Sequence, residues 1–81
     1  MDKEIGKVTH YFDKVGVAVV ELSDDLNVGD EIHIKGSTTD FTQEVEAMQV
    51  EHEDIESAKA GDAIGLKVID RVRLNDRVYL K

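Results

Sequence analysis

Short segments rich in β-branched and aromatic residues recur along this chain, and each is closed by a turn bearing Gly, Asn or Asp. That rhythm leaves little room for a helix and directs the chain toward short strands. Residues 5–12 read as a first strand and residues 15–22, nearly all apolar, as a second that is covered on both faces. Asn27-Val28-Gly29-Asp30 is a turn, and residues 31–35 then alternate strictly between polar and apolar. A second turn at 36–40 precedes a longer strand over 41–50, with Phe41, Val45 and Met48 as core positions. Their spacing of four and then three breaks the period of two once, which places a bulge there. Residues 51–59 are polar except for Ile55 and Ala58, enough for a helical turn at most. Ala60-Gly61-Asp62 turns the chain into a strand over 63–69, and Asn75-Asp76 into a last strand over 77–80.

Six strands so arranged predict an all-β chain: a single six-stranded antiparallel closed β-barrel, one domain over 1–81. Closure is expected because an open sheet leaves exposed edges, and this chain has no Pro to blunt them. Gly29-Asp30 and Gly61-Asp62 are structural turn pairs, in which Gly supplies backbone freedom and Asp takes free N–H groups. Gly65, inside a strand, marks a tight bend or a close backbone approach.

At 81 residues the chain holds one small domain. It has no Cys, which excludes disulfides, thiol catalysis and thiolate metal sites. No apolar run reaches the roughly 18 residues of a membrane span, and the first residues lack the layout of a secretory leader. A cytoplasmic location, without membrane contact, is the expectation. The net charge of −8 disfavours indiscriminate binding to nucleic acid. It is unevenly spread: residues 1–66 carry a balance of −11 and residues 67–81 one of +3. Two readings stay open, a basic face on an acidic body, or a C-terminal strand whose bases pair with acids on its neighbours.

The motifs of common chemistries are missing. Neither a phosphate-binding GxxxxGK loop, a dinucleotide G-x-G-x-x-G, nor a G-x-S-x-G elbow is present, so no nucleotide is expected. His10, His33 and His52 fall on separate segments without metal-ligand spacing. The acidic runs at 24–30 and 51–56 do not match a calcium loop. A barrel of this size fills its interior with its own side chains and leaves no cleft for paired carboxylates. No catalysis, metal or cofactor is expected.

Four segments, in order, resemble the β-barrel second domain of the translational GTPases such as elongation factor Tu and elongation factor 1-alpha. Val15-Gly16-Val17-Ala18-Val19-Val20-Glu21 is similar to its G-x-V-x-x-G-x-[VI] strand, lacking the second Gly, and 27–34 to x-V-G-D-x-V-x-I. Residues 44–53 resemble a later strand, and Ala60-Gly61-Asp62-Ala63-Ile64-Gly65-Leu66 resembles x-G-[DE]-x-[VI]-G-[FL]. The likeness covers about 15–80 and extends to small stand-alone elongation-factor-like proteins. It implies a non-catalytic module acting near translation, in contact with transfer RNA, ribosomal RNA or the ribosome. Gln49 would then face a terminal ribose, with Lys67, Arg71, Arg73 and Arg77 as a basic rim. The alternative is an acidic adaptor, docking through Glu51, Glu53, Asp54 and Glu56 onto a larger protein. Stand-alone relatives look like partners of RNA-modification or U32 peptidase-like enzymes.

Overall fold

The computed structural model describes residues 3–51 and 53–81. Ten strands are formed among them: β1 (Lys3–Phe12), β2 (Val17–Leu22), β3 (Leu26–Asn27), β4 (Glu31–Lys35), β5 (Asp40–Glu44), β6 (Met48–Val50), β7 (Glu53–Ile55), β8 (Ser57–Ala58), β9 (Ala63–Lys67) and β10 (Arg77–Leu80). Eight make one antiparallel sheet in the order β5-β4-β10-β1-β2-β9-β6-β7, and β3 pairs with β8 apart from it. The chain is all-β, and no helix among the described residues is long and apolar enough to cross a membrane.

The sheet curls. Its order puts β5 at one edge and β6 beside the opposite edge, yet only Val45, Glu46 and Ala47 separate the two strands. Four Cα steps span about 14 Å at most, so the two ends of the sheet must come round toward each other. Val45 N–H donates to the Asp30 carbonyl at 2.8 Å, and Lys67 N–H to that of Ala47 at 3.3 Å, tying the crossing segment to both ends.

The predicted closed six-stranded barrel is therefore corrected to a curled eight-stranded half-barrel. The 41–50 stretch is not one strand: the change of period at Val45 is where the chain leaves one edge for the other. The polar stretch 51–59 supplies β7 and β8 rather than a helical turn. β5 and β7 remain the two edges of the ladder.

Gln43 lies across the seam. It is polar, yet sits at an inward position of β5 and is buried. Its Nε2 donates to the Lys67 carbonyl at 2.8 Å, and its Oε1 accepts from Ile69 N–H at 2.9 Å. The side-chain amide presents one donor and one acceptor to the end of β9, as a neighbouring strand would.

Three turns share one arrangement. In 27–30, 59–62 and 73–76 the first carbonyl accepts from the Asp N–H three residues on, at 3.1, 3.0 and 3.1 Å. The Asp carboxylate accepts in return from the first residue's N–H, at 2.9, 3.0 and 2.8 Å. The third residue has positive φ, +97° at Gly29, +91° at Gly61 and +73° at Asn75. Gly and Asn are the residues that adopt this backbone at least cost. Each turn launches a strand, β4, β9 and β10 in turn.

Candidate ligand groove on the outer face

Along β9 the alternation separates two very different faces. Ile64 and Leu66 point inward and are fully buried, while Ala63, Gly65 and Lys67 point outward. The ladder sets Val19 beside Gly65 on one side and Gln49 beside it on the other, with Asp54 beyond Gln49. Val17, two residues from Val19 on β2, faces the same way. Two small residues thus lie between an apolar wall on β2 and a polar wall on β6. The result is a groove of about 540 Å³ lined by Phe12, Val15, Val17, Val19, Gln49, Glu51, Ala63, Ile64 and Gly65. That volume is in the range of sites that hold ligands.

Gly65 makes the groove by what it lacks. A Cβ there would stand 3.3 Å from the Val17 Cγ1 and 3.7 Å from the Gln49 carbonyl, which would narrow the trough. Phe12 and Val15 extend the apolar wall from the β1–β2 hairpin and stay 54% and 65% exposed. Both therefore offer apolar surface to solvent along the rim of the groove. The opposite wall is acidic: Gln49 Nε2 donates to Asp54 Oδ1 at 3.0 Å, and Glu51 stands at the turn between β6 and β7 with φ +52°.

The residues singled out from the sequence separate here. Gln49 and Glu51 line the groove, with Asp54 behind Gln49 and Glu53 and Glu56 exposed nearby. Lys67 stands opposite Val17. Arg71 and Arg73 line a different, polar depression of about 240 Å³ that also holds Asp40 and Asp70. Arg77 contacts Glu4 at 3.4 Å and lines a third depression with Lys7 and Glu21. Arg77 therefore shares no depression with Arg71 and Arg73. Lys81 pairs with Glu31 at 3.3 Å, so two C-terminal bases do meet acids of neighbouring strands.

His33 and Asp40 meet across β4 and β5 at 2.5 Å, and the hydrogen bond from His33 holds the Asp40 carboxyl below its usual range. Lys3 does the same to Asp24, chiefly through a side-chain hydrogen bond. His10 stacks on Phe12. Among the described residues no group of three or more His, Cys, Asp or Glu side chains could hold a metal. His52 lies outside the described residues.

Phe12, Val15, Val17, Val19 and Ala63 were not singled out by sequence. The available signal was β2 itself: five apolar residues in six positions, which is more than one buried face needs.

No protein-family model matches the chain. A protein of Methanocaldococcus jannaschii described as an uncharacterised protease is 49% identical over 78 residues, which is 95% of this chain and 19% of that protein. A collagenase of Porphyromonas gingivalis is 40% identical over 77 residues, 93% of this chain and 21% of its own length. The chain thus spans about a fifth of the length of the curated relatives it matches. Its fold is that of the C-terminal domain of a Geobacillus thermoleovorans protein assigned to the U32 peptidases. One crystal structure of that domain gives a TM-score of 0.89 at 22% identity, covering 95% of this chain and 90% of that one. A selenomethionine variant gives 0.88 at 23%, covering 94% and 96%.

These findings overturn the likeness to elongation factors. The relatives that match nearly the whole chain are named for proteolysis, and the structural neighbours are C-terminal domains of a U32 peptidase. The short motifs that carried the likeness are turn pairs and a strand glycine, which the geometry of a curled β-sheet demands whatever its function. The translation role, and with it the RNA or ribosome partner, is left without support.

Proposed function

We propose that this chain is a non-catalytic interaction module serving a U32-peptidase-type catalytic unit, holding a polypeptide rather than cleaving one. The observation that carries this is the match of 49% over 78 residues to a fifth of a protein described as a protease. A segment that size, with its own core and its own sheet, is a module of the larger relative. The inward side chains fill the curl, and the open space lies on the outer face, where a polypeptide can lie against it.

The test uses the Porphyromonas gingivalis collagenase with its matching 77 residues deleted, or replaced by this chain. Hydrolysis is followed on labelled collagen and on a short quenched-fluorescence peptide. Deletion is expected to lower collagen cleavage about tenfold while leaving short-peptide turnover near its starting value, and this chain should restore part of the loss. Hydrolysis by the isolated chain, or unchanged collagen cleavage after deletion, would sink the reading.

A further inference from the structure

We infer that the groove along β9 is a binding site for an extended polypeptide segment that carries alternate apolar side chains and a Lys or Arg. The inference rests on the interaction-module reading for the class of occupant, and it names the surface and chemistry that the reading leaves open.

Three features select that occupant. The first is pitch. Val17 and Val19 lie two residues apart on one strand, so their side chains repeat at about 6.5–7 Å. Alternate side chains of an extended segment repeat at the same distance, and can sit against both valines at once. The second is depth. Gly65 and Ala63 leave the middle of the trough low, while Phe12 and Val15 rise beside it as exposed apolar surface. A segment laid there removes these side chains from water, which is the main source of affinity available on this face.

The third is charge. The wall opposite the valines carries Glu51, and Asp54 stands next to Gln49 in the same cross-strand row. Both lie on a chain of net charge −8. A basic side chain on the occupant would meet carboxylates on that wall and alkyl groups on the other. Lys67 points outward at the other end of β9, opposite Val17, so the basic side chain belongs at the Glu51 end, where an acidic segment would be repelled. Gln49 is held by Asp54 and so keeps one orientation, with its carbonyl oxygen left to accept from an incoming N–H.

The experiment selects a displayed library of random octapeptides on the isolated chain and reads the enriched sequences. Enriched peptides should carry apolar residues two apart with a Lys or Arg beside them. Synthetic copies should lose about tenfold in affinity on Gly65→Val and on Phe12→Ser. Glu51→Gln should cost about threefold and weaken the salt dependence of binding. Phe12 is more than half exposed, so its variant keeps the fold if Gly65→Val does not, and thermal melting of each variant reports this. Absence of enrichment over a blank surface would overturn the inference. So would binders that tolerate both Gly65→Val and Phe12→Ser, or binders enriched in acidic residues. Because the selection uses the isolated chain, its failure is separate from failure of the collagenase deletion.

Discussion

The two faces of β9 obey opposite rules within five residues. Inside, Ile64 and Leu66 are fully buried and fill volume. Outside, Ala63 and Gly65 leave volume empty, between side chains that remain in water. A face built only for stability would carry β-branched residues there, as β2 does opposite. The contrast shows that the core face and the groove face share one strand and are separated by parity alone.

Leu66 and Gly65 are neighbours in sequence, and substituting each tests that separation most strongly. Leu66→Ala should cost about 2–5 kcal/mol, because a buried leucine leaves both lost contacts and a cavity. Gly65→Ala should stay within about 1 kcal/mol. The Val17 methyl must yield a little, and the alanine restricts the unfolded chain. Urea denaturation of both variants measures the difference. Equal costs would mean that the outer face is as tightly packed as the inner one.

The seam gives the next largest effect. Gln43→Leu keeps the volume of an inward side chain but removes the partners of the Lys67 carbonyl and the Ile69 N–H. The expected cost is about 1–3 kcal/mol, with a larger rise in hydrogen exchange at Ile69, just beyond β9, than within the strands. If exchange at Ile69 does not change, the curl is held by the crossing segment at 45–47 and not by Gln43.

How far the sequence foretold these features depends on the length of chain involved. The turns at Gly29-Asp30, Gly61-Asp62 and Asn75-Asp76 are local. The chemistry of four residues decides them, so residue type reveals them. The strict alternation of 31–35 likewise matches β4. The change of edge at 45–47 depends on where β4 and β9 come to lie. In the sequence it shows only as a spacing of three between Val45 and Met48. The groove was hidden for a similar reason. It joins β1, β2, β6 and β9, and its central residue contributes an absence. Gly65 could be read as a close approach, but not what lay beside it. The polar Gln43 at an inward position was a legible clue to the seam, because an unpartnered amide is costly to bury. The strength of the elongation-factor likeness came from the local features, which report a fold and say nothing of what it binds.

A smaller effect compares the three Asp turns with one another. Asp76 is buried and Asp62 exposed, although both accept the same hydrogen bond. Asp76→Ala should cost about 1–2 kcal/mol, as the part-buried Arg73 N–H loses its partner, and Asp62→Ala less than about 1 kcal/mol. Gly36 lies against the Asp76 carboxylate, so Gly36→Ala should displace that side chain and approach the Asp76→Ala cost. Thermal melting orders the three variants. A cost for Asp62→Ala equal to that for Asp76→Ala would show that turn geometry, and not burial, sets the value of the contact.

The smallest effect lies at the exposed edge, where His33 and Asp40 join β4 to β5. The Asp40 carboxyl is held below its usual range in the folded chain, first by the His33 hydrogen bond. The contact therefore adds stability above the unfolded carboxyl value of about 4, and that stability is lost as pH falls through the lower folded value. Asp24, held down by Lys3, acts in the same direction. Both carboxylates are in solvent, so each contribution is small and screened by salt. Asp40→Asn should lower stability slightly at neutral pH, meet the parent curve in acid, and so flatten the acid limb below about pH 4. The difference from the parent chain should shrink in about 1 M salt. Parallel acid limbs at low salt would show that the His33–Asp40 contact does not stabilise this edge, leaving the ladder between β4 and β5 to hold it alone.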